Sequence, residues 1–207
     1  MKNLIKKIIK EELEKLNEKD PNEYDANMLI SEISEIANDE NQPRPRKKLD
    51  TGSNAMVFET TNPKILIRAE LIDEGEESYD LKEYTLADED IQDTGGVSKI
   101  FHIGEYTINN AQYLITWKEK INENFEYIIY RKYNDEQASE ILHALHLYNL
   151  MYGASSEQRK KQLDVLKRTK ETSKLYNAIM AGLPIGDLSP DSNMGVNSNG
   201  DIVAFDV

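Results

Sequence analysis

Cysteine is missing from all 207 residues, which excludes disulfides and thiolate metal sites and points to an intracellular, cytoplasmic setting. Histidine is nearly missing. Of the three present, His143 and His146 stand three apart on an expected helix, with no third ligand spaced for zinc. No apolar run approaches the roughly 20 residues of a membrane span. Lys6, Lys7 and Lys10 interrupt the N-terminal apolar residues too early for a secretory leader. Net positive charge is also lacking, with 25 Lys and Arg against 38 Asp and Glu, a balance of −13. That balance argues against sequence-independent nucleic-acid binding and against docking on an anionic membrane. Walker A loops, Gly-x-Ser-x-Gly elbows and dinucleotide fingerprints are absent as well. What is present, 39% hydrophobic and 30% charged residues, suits one globular domain or a two-lobed one with a cleft.

Leu4, Ile5, Ile8, Ile9, Leu13 and Leu16 recur at helical spacing among lysines and glutamates, predicting an amphipathic helix over residues 1–19. Asp20-Pro21-Asn22 ends it. A weaker helix is expected over residues 26–37, on Met28, Leu29, Ile33 and Ile36. The stretch from Asn38 to Lys48 holds two prolines and no apolar residue, and reads as a linker. The chain thus divides into a helical extension with its linker, residues 1–45, and a main domain, residues 46–207. A lone amphipathic helix gains most of its stability by burying its apolar face. The first helix is therefore expected to dock on another protein chain, either a second copy or a larger assembly.

Past Leu49 the pattern turns to strands. Met56 to Thr60 and Lys64 to Ala69 flank the turn residues Thr61-Asn62-Pro63. A helix is expected over Glu76 to Asp90. Val97 to Tyr106 and Ala111 to Trp117 form a hairpin around Asn109-Asn110. Helices follow over residues 136–151 and 156–180. Leu183 to Val207 then holds Asp187, Asn193 and Asp206 around two short apolar runs. Oxygen ligands on adjacent strand ends and turns are what a Mg²⁺–nucleotide site needs.

The order of these elements resembles that of protein kinases and aminoglycoside phosphotransferases. The resemblance implies an α+β, kinase-like two-lobed fold: a small antiparallel sheet with a helix, then a reduced helical lobe. Leu49 to Phe58 is similar to the glycine-rich loop, which implies that Gly52 and Ser53 lie over the phosphates and Val57 over the adenine. Arg68 ends the strand that carries the family's phosphate-binding lysine, and Glu83 stands for its helix glutamate, with Glu76 and Glu77 as rivals. Ala111 to Trp117 with Lys118-Glu119 resembles the strand leading to the hinge. Asp187, in Gly186-Asp187-Leu188-Ser189-Pro190, is implied to be the catalytic aspartate. Asn193, or Ser192 if the loop is read without an insertion, and Asp206 are implied to hold Mg²⁺.

The departures share a direction. Asp50 and Ala55 replace loop glycines, Arg68 replaces lysine, Ile185 replaces histidine, and Asn193 follows Asp187 by six positions in place of five. The sequence stops at Val207, where a kinase's activation segment would begin, which implies weak or no transfer to proteins. The expectation is a minimal, degenerate phosphotransferase or pseudokinase that binds ATP with Mg²⁺. The alternative is a non-catalytic interaction protein or a phage virion structural protein. The short amphipathic N-terminal helix is similar to those tailed phages place on virion-directed proteins, which would put the chain in host cytoplasm or virion. The Gly52 turn, Arg68, Asp187, Asn193 and Asp206 are expected around one cleft. Taken singly, each has a plainer reading as a turn residue or a solvated charge.

Overall fold

A computed structural model describes residues 21–37, 39–51, 55–72, 82–122, 124–146, 155–184 and 193–205. The expected helix over residues 1–19 lies outside them. The fold is α+β. Five strands, β1 (Pro45–Thr51), β2 (Ala55–Thr60), β3 (Ile65–Ile72), β4 (Ile100–Ile108) and β5 (Ala111–Glu119), form an antiparallel sheet in the order β1-β2-β3-β5-β4. Its turns follow from local chemistry. Asn109 and Asn110 both take positive φ, 51° and 65°, as a two-residue β4–β5 turn requires. Between β2 and β3 the Thr60 hydroxyl donates to the Ile65 carbonyl at 2.9 Å, while Asn62 Oδ1 accepts the Lys64 N–H at 3.0 Å.

Alternation along the strands gives the sheet two different faces. Phe58, Ile67, Ala69, Ile115 and Trp117 share one, and α1 (Pro21–Ile36) buries it with Ala26, Leu29 and Ile33. The Trp117 indole donates to the Pro43 carbonyl at 3.1 Å, fixing the chain between α1 and β1. The linker expected over residues 38–48 therefore does not hold to its end, since β1 starts at Pro45 and pairs with β2. Nor does α1 stand apart from the sheet, because its Ala26, Leu29 and Ile33 belong to that core. Proline content and charge concealed β1, which is an edge strand with most of its side chains in solvent.

The helical part packs on a second core with α2 (Lys82–Leu86), α3 (Glu89–Asp93), α4 (Phe125–Lys132), α5 (Asp135–Leu145), α6 (Ser156–Arg168) and α7 (Ser173–Met180). The single helix expected over Glu76 to Asp90 is broken, because Asp88 turns back to accept the Asp90 and Ile91 N–H groups and starts α3. The helix expected over 156–180 is also split. Thr169 is extended, the Thr172 hydroxyl donates to the Leu166 carbonyl at 2.8 Å, and the Glu171 carbonyl accepts the Ile202 N–H. Capping boxes at Asn134–Gln137 and Ser155–Gln158 start α5 and α6. The expected short C-terminal hairpin is present as β6 (Met194–Val196) and β7 (Ile202–Ala204).

That hairpin joins the two parts. Ala204 bridges Val97 in parallel, its carbonyl accepting the Ser98 N–H at 2.7 Å, and Val196 bridges Asn122. The approach leaves no room for side chains at two glycines. A Cβ on Gly96 would lie 2.1 Å from the Lys174 carbonyl oxygen, and one on Gly195 2.3 Å from Ile121 Cγ2.

Glu171 anchors the same junction, accepting from Lys132 Nζ at 2.8 Å and from the Tyr133 hydroxyl. Burial pushes its pKa up, but those hydrogen bonds outweigh burial and hold it below the usual 4.5. Burial and the Glu171 carboxylate push Tyr133 up to about 12. A depressed carboxylate contributes stability that is present above 4.5 and lost as pH falls through the folded value. Urea unfolding across the acid range should therefore show a shallower decline below pH 4.5 in Glu171→Gln than in wild type. Parallel declines would remove Glu171 from the account.

Candidate functional site

The sheet face away from α1 carries a chain of charges. Val57 and Arg68 are register partners across β2–β3, and Arg68 faces Thr116 on β5. Lys118, two residues beyond Thr116, projects from the same side of β5. Glu83 in α2 meets both cations with a carboxylate that is only 1% exposed. Its Oε1 accepts from Lys118 Nζ at 2.6 Å and from Arg68 Nη1 at 3.4 Å. Arg68 Nη1 also donates to Glu70, its neighbour along the strand. Two cations and two carboxylates are thus interlocked, with Lys118 and Glu83 almost wholly out of water.

The ammonium of Lys118 also donates to the Phe205 carbonyl at 3.1 Å, while the Phe205 N–H donates to the Asn193 carbonyl at 3.0 Å. A continuous path therefore runs from Arg68 through Glu83, Lys118 and Phe205 to Asn193. Two polar atoms on this face are buried and without a hydrogen-bond partner among the described residues: Glu83 Oε2 and Thr116 Oγ1.

Of the residues singled out from sequence, Val57, Arg68, Glu83 and Asn193 are described. The structure brings Arg68 and Glu83 together directly and connects Asn193 to them through two intermediaries. Gly52, Ser53, Asp187 and Asp206 lie outside the described residues, as do Glu76, Glu77 and Ser192. Arg68 is not the solvated strand end of the plainer reading, because its side chain is 14% exposed and held by two carboxylates.

Lys118 is the residue that sequence reasoning missed. The strand Ala111 to Trp117 was expected to end before it, yet β5 runs to Glu119. Strand parity carries the signal. With Trp117 on one face, Leu114, Thr116 and Lys118 must share the other. Among the described residues no three His, Asp or Glu side chains gather as a metal site. Nor is any helix there long and apolar enough to cross a membrane. An open groove of about 730 Å³ lies elsewhere, lined by Lys64, Glu119, Lys120, Ile121, Asn122 and Ser198 among others. It includes none of Val57, Arg68, Glu83 or Lys118, so this groove and the buried charges do not coincide.

No protein-family model matches this chain, and no curated protein matches it.

Proposed function

We propose that the chain is a minimal, degenerate kinase-like protein, a weak phosphotransferase or pseudokinase that binds ATP with Mg²⁺. The observation that carries this is the buried Glu83 carboxylate. It lies on a helix inserted between β3 and β4 and engages cations of β3 and β5 beneath a five-stranded antiparallel sheet. A second point supports it. The ion cluster reaches Phe205, the residue before Asp206, and Phe205 in turn bonds the backbone of Asn193.

Bound Mg-ATP would supply a transferable phosphoryl group and a divalent charge. On the protein side, Val57 would pack on the base and Arg68 and Lys118 would face the phosphates. Asn193 and Asp206 would hold the metal, and Asp187 would orient an acceptor hydroxyl. The Gly52-Ser53 turn would approach the phosphates through backbone N–H groups. The donor set fits the ligand, but weakly, because Glu70 and Glu83 already neutralise the two cations.

Thermal unfolding with ATP, with and without Mg²⁺, tests the proposal. A ligand present at about 100 times its Kd and specific for the folded state should add roughly 2.7 kcal/mol. The expected result is an Mg²⁺-dependent rise in Tm that Asp206→Ala abolishes. An unchanged Tm at millimolar Mg-ATP would overturn nucleotide binding. It would leave the second reading, a non-catalytic interaction or phage virion structural protein, which the contacts of Arg68 with two carboxylates favour. In that case the partner would be another protein chain, met through the N-terminal helix.

A further inference from the structure

We propose that Lys118 is the positioning residue of this site, coupling the helix that carries Glu83 to the strand end at Phe205. The inference deepens the nucleotide-binding reading by naming what ties its parts together. The coupling itself is measurable without nucleotide.

An ammonium has three N–H donors and no acceptor. Lys118 uses one on Glu83 Oε1 at 2.6 Å and one on the Phe205 carbonyl at 3.1 Å, so a single atom joins residues 83, 118 and 205. Arg68 does not duplicate this role. Its bond to Glu83 is longer, at 3.4 Å, it is shared with Glu70, and none of its hydrogen bonds reaches Phe205. The other ties of the hairpin act further back. Asn122 pairs with Val196, Ser98 with Ala204, and the Glu171 carbonyl with Ile202. At Phe205 the backbone is held by Asn193 through the N–H and by Lys118 through the carbonyl.

The buried setting makes the link stiff. The Lys118 and Glu83 side chains are 8% and 1% exposed, so neither can exchange its partner for water without opening the sheet–helix contact. A shift of α2 that carries Glu83 must therefore drag or break the bond to Phe205. By reciprocity, whatever holds Phe205 in place must favour the α2 position that keeps Glu83 on Lys118.

Amide hydrogen exchange on the full chain tests the coupling, with three reporters. These are Phe205, Ala87 (whose N–H bonds the Glu83 carbonyl) and Ile115 in the middle of β5. In Lys118→Met, exchange should quicken about tenfold or more at both Phe205 and Ala87, within the 5–150-fold range of such couplings, and less at Ile115. Glu83→Gln should quicken Phe205, more than a hundred residues away in sequence, while Arg68→Met should leave it near wild type. If Lys118→Met does not fold, the Glu83→Gln and Arg68→Met pair decides. Unchanged exchange at Phe205, equal acceleration at all three amides, or an equal effect of Arg68→Met would each overturn the proposal. Mg-ATP added to wild type should slow Phe205 and Ala87 together. If it slows no amide, the nucleotide reading fails, and the variant comparison still decides the coupling.

Discussion

Lys118→Ala should destabilise the fold by about 3–5 kcal/mol, the range for breaking a buried ion pair by removing one partner. The loss comes less from the missing attraction than from what remains. Glu83 would keep a carboxylate at 1% exposure, with Oε2 already unpartnered and Oε1 reduced to the longer Arg68 contact. Removing both charges should behave differently, because a buried pair replaced by apolar groups of similar volume is often neutral or stabilising. Lys118→Met with Glu83→Leu is thus expected to recover most of the loss, Arg68 retaining Glu70. Urea unfolding of the wild type, the single variant and the double variant measures this. Additive losses in the double variant would show that packing, not charge, dominates there.

Deleting residues 1–37 should abolish cooperative folding or lower Tm by tens of degrees. The sequence alone suggests the opposite, a detachable extension ahead of a linker. In the structure α1 lays Leu29 and Ile33, both fully buried, onto Phe58, Ile67, Ile115 and Trp117. Leu29→Ala alone should cost about 2–5 kcal/mol by loss of transfer energy and creation of a cavity. Scanning calorimetry of the deletion, read beside Leu29→Ala, checks both. A deleted chain that melts like wild type would mean that the sheet needs no cover on that face. Removing residues 1–20 only is a separate experiment. There the expectation is an unchanged Tm with lost association, read by sedimentation.

The sheet was largely legible because its signals are local. Short β-prone runs on either side of Thr61-Asn62-Pro63 mark β2 and β3, and Asn109-Asn110 marks the β4–β5 hairpin by a turn that needs two positive φ values. β1 was not legible, since Pro45-Arg46-Lys47-Lys48 forms a strand only because β2 offers an edge. The break at Thr169 to Thr172 was equally hidden. Its cause is the Glu171 carbonyl, whose partner is Ile202. Within the site, Glu83 could be chosen over its acidic neighbours only by analogy, because nothing in a run of acids says which one is buried. Lys118 was hidden by its own charge. A lysine at a strand end reads as solvated until a carboxylate distant in sequence is seen to meet it.

β1 ends the sheet among the described residues, and its edge has a consequence for crowded solution. Arg46, Lys47 and Lys48 make a cationic strip on a molecule of net charge −13. Two copies meeting edge to edge would set these like charges against each other, which opposes fibre-like strand addition. The strip would sooner attract the acidic surface of a neighbour, a contact that added salt screens within about 10 Å at 0.1 M. Self-association through this edge should therefore be loose, reversible and abolished by salt, unlike the ordered growth of a sheet.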